Sequence, residues 1–145
     1  MQIGGPMQID IAQCIIKMAA IHFKSEDILQ AIEFQTKAII ILERLLGLEN
    51  PLVALNYAKL AMYYHTTGYN TVAFDHMWRS LNIMQLSCGE YHPDIANIYL
   101  NLGLMYQEMD NNEAAIEVFQ KYVNQNNYMF GKAHIQTAQA NSALA

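Results

Sequence analysis

Five histidines, two cysteines and thirteen acidic residues are the groups in this 145-residue chain that could hold a metal or make and break bonds. A zinc site needs Cys, His or carboxylate ligands at short, regular separations. His65 and His76 have no such partner on their own helix beyond Asp75, which points to another face. Cys14 and Cys88 lie 74 positions apart and belong to no CxxC or Cys/His spacing, so neither a disulfide framework nor a structural metal is indicated. In the run Cys88-Gly89-Glu90-Tyr91-His92 a thiol stands near a base. A nucleophilic thiol also needs an oxyanion stabiliser, and the matching loops Leu46 to Asn50 and Phe130 to His134 have no cysteine. Cys88 reads as a buried small hydrophobe. No GxSxG, HExxH, P-loop or GxGxxG string occurs. These residues argue against an enzyme, and no catalytic, metal or cofactor site is expected.

The elements that carry these residues repeat. Gly47, Gly89 and Gly131 are spaced by 42, and Gly5 extends the series backwards. Ala12, Ala54, Ala96 and Ala138 fall on the same grid, as do Ala31, Ala73 and Ala115. Small residues recur where two helices would touch. Residues 10–51, 52–93 and 94–135 form three copies. Residues 1–9 read as the tail of a preceding repeat and its junction, and 136–145 as the start of a fourth. On this grid His92 and His134 occupy the slot of Asn50, and His22 that of Tyr64 and Tyr106, so these histidines read as structural.

Each copy reads as a helical hairpin. In the third, Ile95, Ile98, Leu102 and Met105 recur at helical spacing, and after a polar break so do Ala115, Ile116, Phe119 and Val123. Gly89 suits the position just past a helix end, and Pro93 the first turn of the next helix. Asp94 then stands where the helix dipole favours an anion. Asn50-Pro51 repeats the device. Breaks within the copies fall at Ser25-Glu26-Asp27, Thr67-Gly68 and Asp110-Asn111. Six helices and a partial seventh are expected.

Leu102, Gly103, Tyr106, Ala115, Phe119 and Tyr122 have the relative spacing of the tetratricopeptide pattern. The second copy supplies Leu60, Ala61, Tyr64, Ala73, Met77 and Ser80, while Gln35 replaces the aromatic in the first. The resemblance implies an all-α fold, a right-handed superhelical solenoid of three hairpins plus the partial seventh helix. The 42-residue period resembles kinesin light chains and the clustered-mitochondria family. The stretch Phe74 to Gln107, with His76-Met77, Arg79, Leu81, Cys88-Gly89 and His92-Pro93-Asp94, resembles the latter more closely. Gly5-Pro6-Met7 with Asp10-Ile11-Ala12 also looks like a junction of that family, with Gln8-Ile9 where His-Pro is expected. The resemblance implies a piece of a larger cytoplasmic protein tied to mitochondrial distribution, messenger RNA and translation initiation. The kinesin-light-chain alternative implies a cargo adaptor.

In stacked tetratricopeptide hairpins the first helix of each pair lines the concave face. That places the candidate peptide contacts at Gln13, Lys17, Ala20 and Lys24, then Leu55, Lys59, Met62 and Thr66, then Asn97, Asn101, Leu104 and Glu108. Lys17, Lys59 and Asn101 share one slot, a ladder able to hold a peptide backbone or carboxylate. The expected partner is therefore a protein segment.

Composition narrows the alternatives. Apolar residues make up 53%, enough for a core, and charged ones only 14%, against about 25% in typical domains. Length alone suggests one domain. The net charge is -5, and the eight basic residues are scattered over all three copies, so RNA binding is not expected of this segment alone. The longest apolar run, Ala38 to Leu42, is far short of the roughly 20 residues that span a bilayer, and no signal peptide opens the chain. A reducing cytoplasmic setting and no membrane insertion are expected. Uncovered apolar faces at the two ends of the stack would favour a homodimer through them.

Overall fold

Proline and a polar cap start the helices at Pro51 and Pro93, and a residue with left-handed backbone follows each of the first five helices. The computed structural model describes the backbone of residues 5–144 and the side chains of residues 7–131. It contains α1 (Gly5–Lys24), α2 (Ile28–Leu46), α3 (Pro51–Thr66), α4 (Asn70–Cys88), α5 (Pro93–Glu108) and α6 (Asn112–Leu144), with no strand among the described residues. The Asn50 side chain accepts a hydrogen bond from the Leu52 amide at 2.8 Å, and His92 Nδ1 accepts one from the Asp94 amide at 3.1 Å. Each cap is followed by a proline in the first turn, where a missing N–H costs nothing.

The three turns inside the hairpins are the same turn. Glu26, Gly68 and Asp110, 42 residues apart, take φ of 65°, 88° and 60°. The amides of Asp27, Tyr69 and Asn111 bond back to the carbonyls of His22, Tyr64 and Tyr106 at 2.9, 3.0 and 3.0 Å. The amides of the three left-handed residues reach the carbonyls of Phe23, His65 and Gln107. This pair of bonds is the Schellman ending, which satisfies the last carbonyls of a helix. Only Gly68 adopts it without a steric penalty.

Two expected breaks are replaced by helix. α1 begins at Gly5, so the junction expected before Asp10 is already helical. α6 runs unbroken through Gly131 to Leu144, so the described residues form six helices and the expected partial seventh is a continuation of the sixth. At both places the sequence lacks the terminator used elsewhere. Ile9 and Ile135 stand in the slot of Pro51 and Pro93, and only a proline ring both lacks the amide and clashes with the preceding turn. Gly131 alone costs a helix only about 1 kcal/mol. The side chains expected to open a fourth repeat, including His134 and Ala138, lie outside the described ones.

The chain divides into two compact units, Met1–Ser87 and Cys88–Ala145. In the first, Ala12, Leu42 and Val53 form one core cluster and Ala19, Ala31 and Tyr63 another. Ala12 with Leu42 and Ala19 with Ala31 make α1 and α2 antiparallel. Ala12 with Val53 and Ala19 with Tyr63 set α3 parallel to α1, shifted by about one repeat. The Phe23 ring stacks on Tyr63 at 4.6 Å. α4 returns along α3, its Ser80 hydroxyl donating to the Ala54 carbonyl at 2.6 Å. In the second unit α5 and α6 pair through Gly103, over which the Phe119 ring lies so closely that a Cβ would sit 2.3 Å from a ring carbon. The alanines of the repeat grid at 12, 31, 54, 73, 96 and 115 are all buried, with Ala12 and Ala31 inside the two core clusters of the first unit.

Candidate functional site

Of the twelve expected contact residues on the first helices, eight are exposed and four are half-buried. On α1, Gln13, Lys17 and Lys24 are exposed and Ala20 is half-buried; the spacing of 4, 3 and 4 keeps them on one face. On α3, Lys59 and Thr66 are exposed while Leu55 and Met62 are half-buried. The Thr66 hydroxyl donates to the Met62 carbonyl at 2.9 Å, which ties it to its own helix. On α5, Asn97, Leu104 and Glu108 are exposed and Asn101 is half-buried. Because α1 and α3 are parallel with a one-repeat shift, Lys17 and Lys59 stand at the same level of neighbouring helices in the first unit. α5 presents the same positions within its own unit.

A second polar group, not anticipated from the sequence, joins the two helices of each later hairpin. The Arg79 guanidinium sits 4.9 Å from the centre of the Tyr57 ring, and the Lys121 ammonium 5.8 Å from that of Tyr99. Both pairs are 22 residues apart and occupy the same slots, so the 42-residue grid contains the signal. A cation over a ring gains about 0.5–1 kcal/mol at an exposed site. In the first hairpin Ile15 replaces the tyrosine, and Lys37 turns instead to Phe34 at 5.7 Å and Glu33 at 3.5 Å. Tyr57 also donates its hydroxyl proton to Glu43. Burial, then that hydrogen bond and the Glu43 charge, push the Tyr57 phenol up to about 12. His76 lies between the rings of Tyr57 and Tyr64, at 5.4 and 5.6 Å, and burial, followed by the nearby Arg79 charge, lowers its pKa. These tyrosines and cations brace helix pairs.

The remaining groups of chemical interest are also committed. His22 stacks on Phe34 at 5.3 Å and approaches Asp27 at 3.4 Å. His65 Nδ1 lies 2.9 Å from Asn70 Oδ1 across the turn. His92 spends its Nδ1 lone pair on the cap of α5. Cys88 is half-buried rather than fully buried, because it closes α4 next to an exposed turn. Among the described residues no three His, Cys, Asp or Glu side chains gather closely enough to hold a metal ion. No described helix is long and apolar enough to cross a membrane.

Paired antiparallel helices with a buried small residue at each crossing and a Schellman turn at each tip define a tetratricopeptide-repeat protein, and a tetratricopeptide-repeat family model matches residues 70–126. Solved structures share the fold: BtubC (BKLC) from P. vanneervenii superposes with a TM-score of 0.75 at 20% identity, covering 81% of this chain and 46% of that one. MamA gives 0.64 at 19% identity, covering 83% and 61%. Among curated proteins, the clustered mitochondria protein homolog of Danio rerio is 33% identical over 101 residues, which is 70% of this chain and 7% of the relative. The Homo sapiens homolog is 31% identical over the same length, and that of Aedes aegypti 26% over 134 residues, or 92% of this chain and 9% of the relative. The chain is a tetratricopeptide-repeat region of the clustered-mitochondria family, and spans about a tenth of the length of these relatives.

Proposed function

We propose that the chain is a non-enzymatic scaffold segment that holds an extended peptide of a partner protein along the exposed face of its first helices. The observation that supports this reading most is the pair Lys17 and Lys59, exposed at one level of the parallel helices α1 and α3. Two ammonium groups there can bind a peptide carboxylate or its backbone carbonyls. Half-buried Leu55 and Met62 beside them offer apolar contact for an alternating side chain. A micromolar dissociation constant, about 8 kcal/mol, is expected for so open a surface.

The name shared by the relatives extends the reading to the intact protein: a cytoplasmic component of mitochondrial distribution in which this segment recruits protein partners. A kinesin-light-chain-like cargo adaptor would use the same face. Direct RNA binding gains less support, since Arg79 and Lys121 already lie over tyrosine rings and tight electrostatic binding takes some 6–10 phosphate contacts. Titration of acidic partner peptides against the wild type and a Lys17→Glu, Lys59→Glu variant tests the proposal. The variant is expected to bind at least about tenfold more weakly, a change of 1.4 kcal/mol. Equal binding by a variant of unchanged helix content would remove this face from the argument.

A further inference from the structure

The contact slots of α1 and α3 differ in charge from those of α5. Gln13, Lys17, Ala20 and Lys24 with Leu55, Lys59, Met62 and Thr66 include three cations and no acid, whereas the slots of α5 hold Glu108 and no cation. Elsewhere Lys37 is committed to Glu33, and Arg79 and Lys121 to tyrosine rings. Lys17, Lys24 and Lys59 enter no ion pair among the described residues. Lys59 is exposed like Lys17 although α1 packs beside it, so the openness belongs to the slot. Unpaired like charges gathered on one face raise the local concentration of anions there.

Between the lysines the face is uneven. The slot filled by Met62 on α3 and by Leu104 on α5 is filled on α1 by Ala20, which is half-buried and lacks the outer atoms of those side chains. Lys17 precedes Ala20 by about 4.5 Å along the helix axis and Lys24 follows it by about 6 Å. Met62 stands at the level of Ala20 on the neighbouring parallel helix. A lysine lays its methylene stem along apolar surface while its ammonium stays in water, so stems and Met62 can wall a cavity whose rim is positive. Resting on the peptide-binding reading of this face, we infer that Ala20 is the floor of a specificity recess for a bulky aliphatic side chain of the partner peptide, with acidic residues of that peptide to either side on Lys17 and Lys24. In an extended segment, residues two apart point the same way at about 6.7 Å from each other, a step the flexible lysine stems can meet. The segment recognised is thus an aliphatic residue with an acid two positions before it and another two positions after it.

Fluorescence anisotropy with two short capped peptides tests the recess. Both carry aspartates two residues to either side of the centre, and the centre is leucine in one and alanine in the other. The wild type is expected to favour the leucine peptide about tenfold, as one extra aliphatic group in an apolar pocket allows. Ala20→Met fills the recess with the residue that α3 carries in this slot. It should erase the leucine preference while leaving the alanine peptide's affinity, the helix content and the melting temperature unchanged. Ala20→Leu, with the residue of α5, should do the same. Lys24→Glu should weaken both peptides by one common factor, since it removes charge and leaves the floor. Equal affinity of the wild type for the two peptides, or a leucine preference that survives both Ala20 variants, would overturn the recess and leave charge recognition standing. An unchanged affinity in Lys24→Glu would overturn the placing of the flanking acid. If neither peptide binds, or if Lys17→Glu, Lys59→Glu binds both as tightly as the wild type, the face and its recess fall together.

Discussion

The same slot of the repeat is filled in opposite ways in the two units. In the first, Gln35 on α2 is fully buried and donates from Nε2 to the side-chain oxygen of Asn56 at 2.9 Å, while Asn56 donates to the Leu52 carbonyl at 2.8 Å. In the second, Phe119 on α6 holds that slot and covers the bare backbone of Gly103. The facing position within the hairpin changes with it: Ala19 in the first unit corresponds to Gly103 in the second. The helix pairing survives both solutions, so it is the backbone register that repeats, while the slot is settled locally, in the first unit with a residue of the following helix and in the second with the facing helix of its own hairpin. A polar filling needs a partner at hydrogen-bond distance; an aromatic one needs an absent Cβ.

If the fillings are local, breaking one should leave the other unit intact. The largest effect is expected from Gly103→Val, whose branched side chain must displace the Phe119 ring. A loss of about 3 kcal/mol, at the upper end of overpacking, should show as a lower denaturant midpoint, with Phe119→Leu added to the same chain recovering part of it. A recovery that never exceeds additivity would mean the two residues do not share the crossing.

Next in size is Gln35→Ala, which empties a buried site and strips Asn56 of its donor, at about 2–3 kcal/mol. The double change Gln35→Met, Asn56→Ile imports the residues that other hairpins carry in these slots, Met77 and Ile98. It should be near neutral, because both polar partners leave together and the buried Gln35 Oε1, which has no hydrogen-bond partner, leaves with them. Chemical denaturation of the four members of this cycle measures the coupling directly. The smallest effect concerns the turns, where the units differ only in residue type. Glu26→Gly should stabilise the first hairpin by about 0.5–1 kcal/mol, since glycine reaches left-handed backbone without the clash of a Cβ. Gly68→Ala should cost a similar amount in the same melting assay.

Much of this was legible in the sequence for a simple reason: features read along one helix or one turn depend on near neighbours. The 42-residue spacing of Gly47 and Gly89 marked helix ends, Pro51 and Pro93 marked helix starts, and the alanine grid marked the buried crossings. That Gln13, Lys17 and Lys24 share an exposed face followed from helical spacing within α1. What escaped depends on residues distant in the chain or on a substitution at a single slot. Gln35 looked like a departure from the pattern until its partner, 21 residues on, came into view. The rings under Arg79 and Lys121 were hidden because a tyrosine on an amphipathic helix reads as core. The junctions at Ile9 and Ile135 were expected to break because their neighbours matched the grid, although the residue that enforces the break was missing.

That missing residue has an evolutionary reading. α6 keeps the glycine and the histidine that elsewhere precede a new helix, and departs at one codon. Ile135→Pro would place in it the ring that opens α3 and α5 and that no helix interior accommodates. A rod and a hairpin are thus separated by a single residue substitution, and the boundary between two repeats can be erased or drawn without any insertion or deletion.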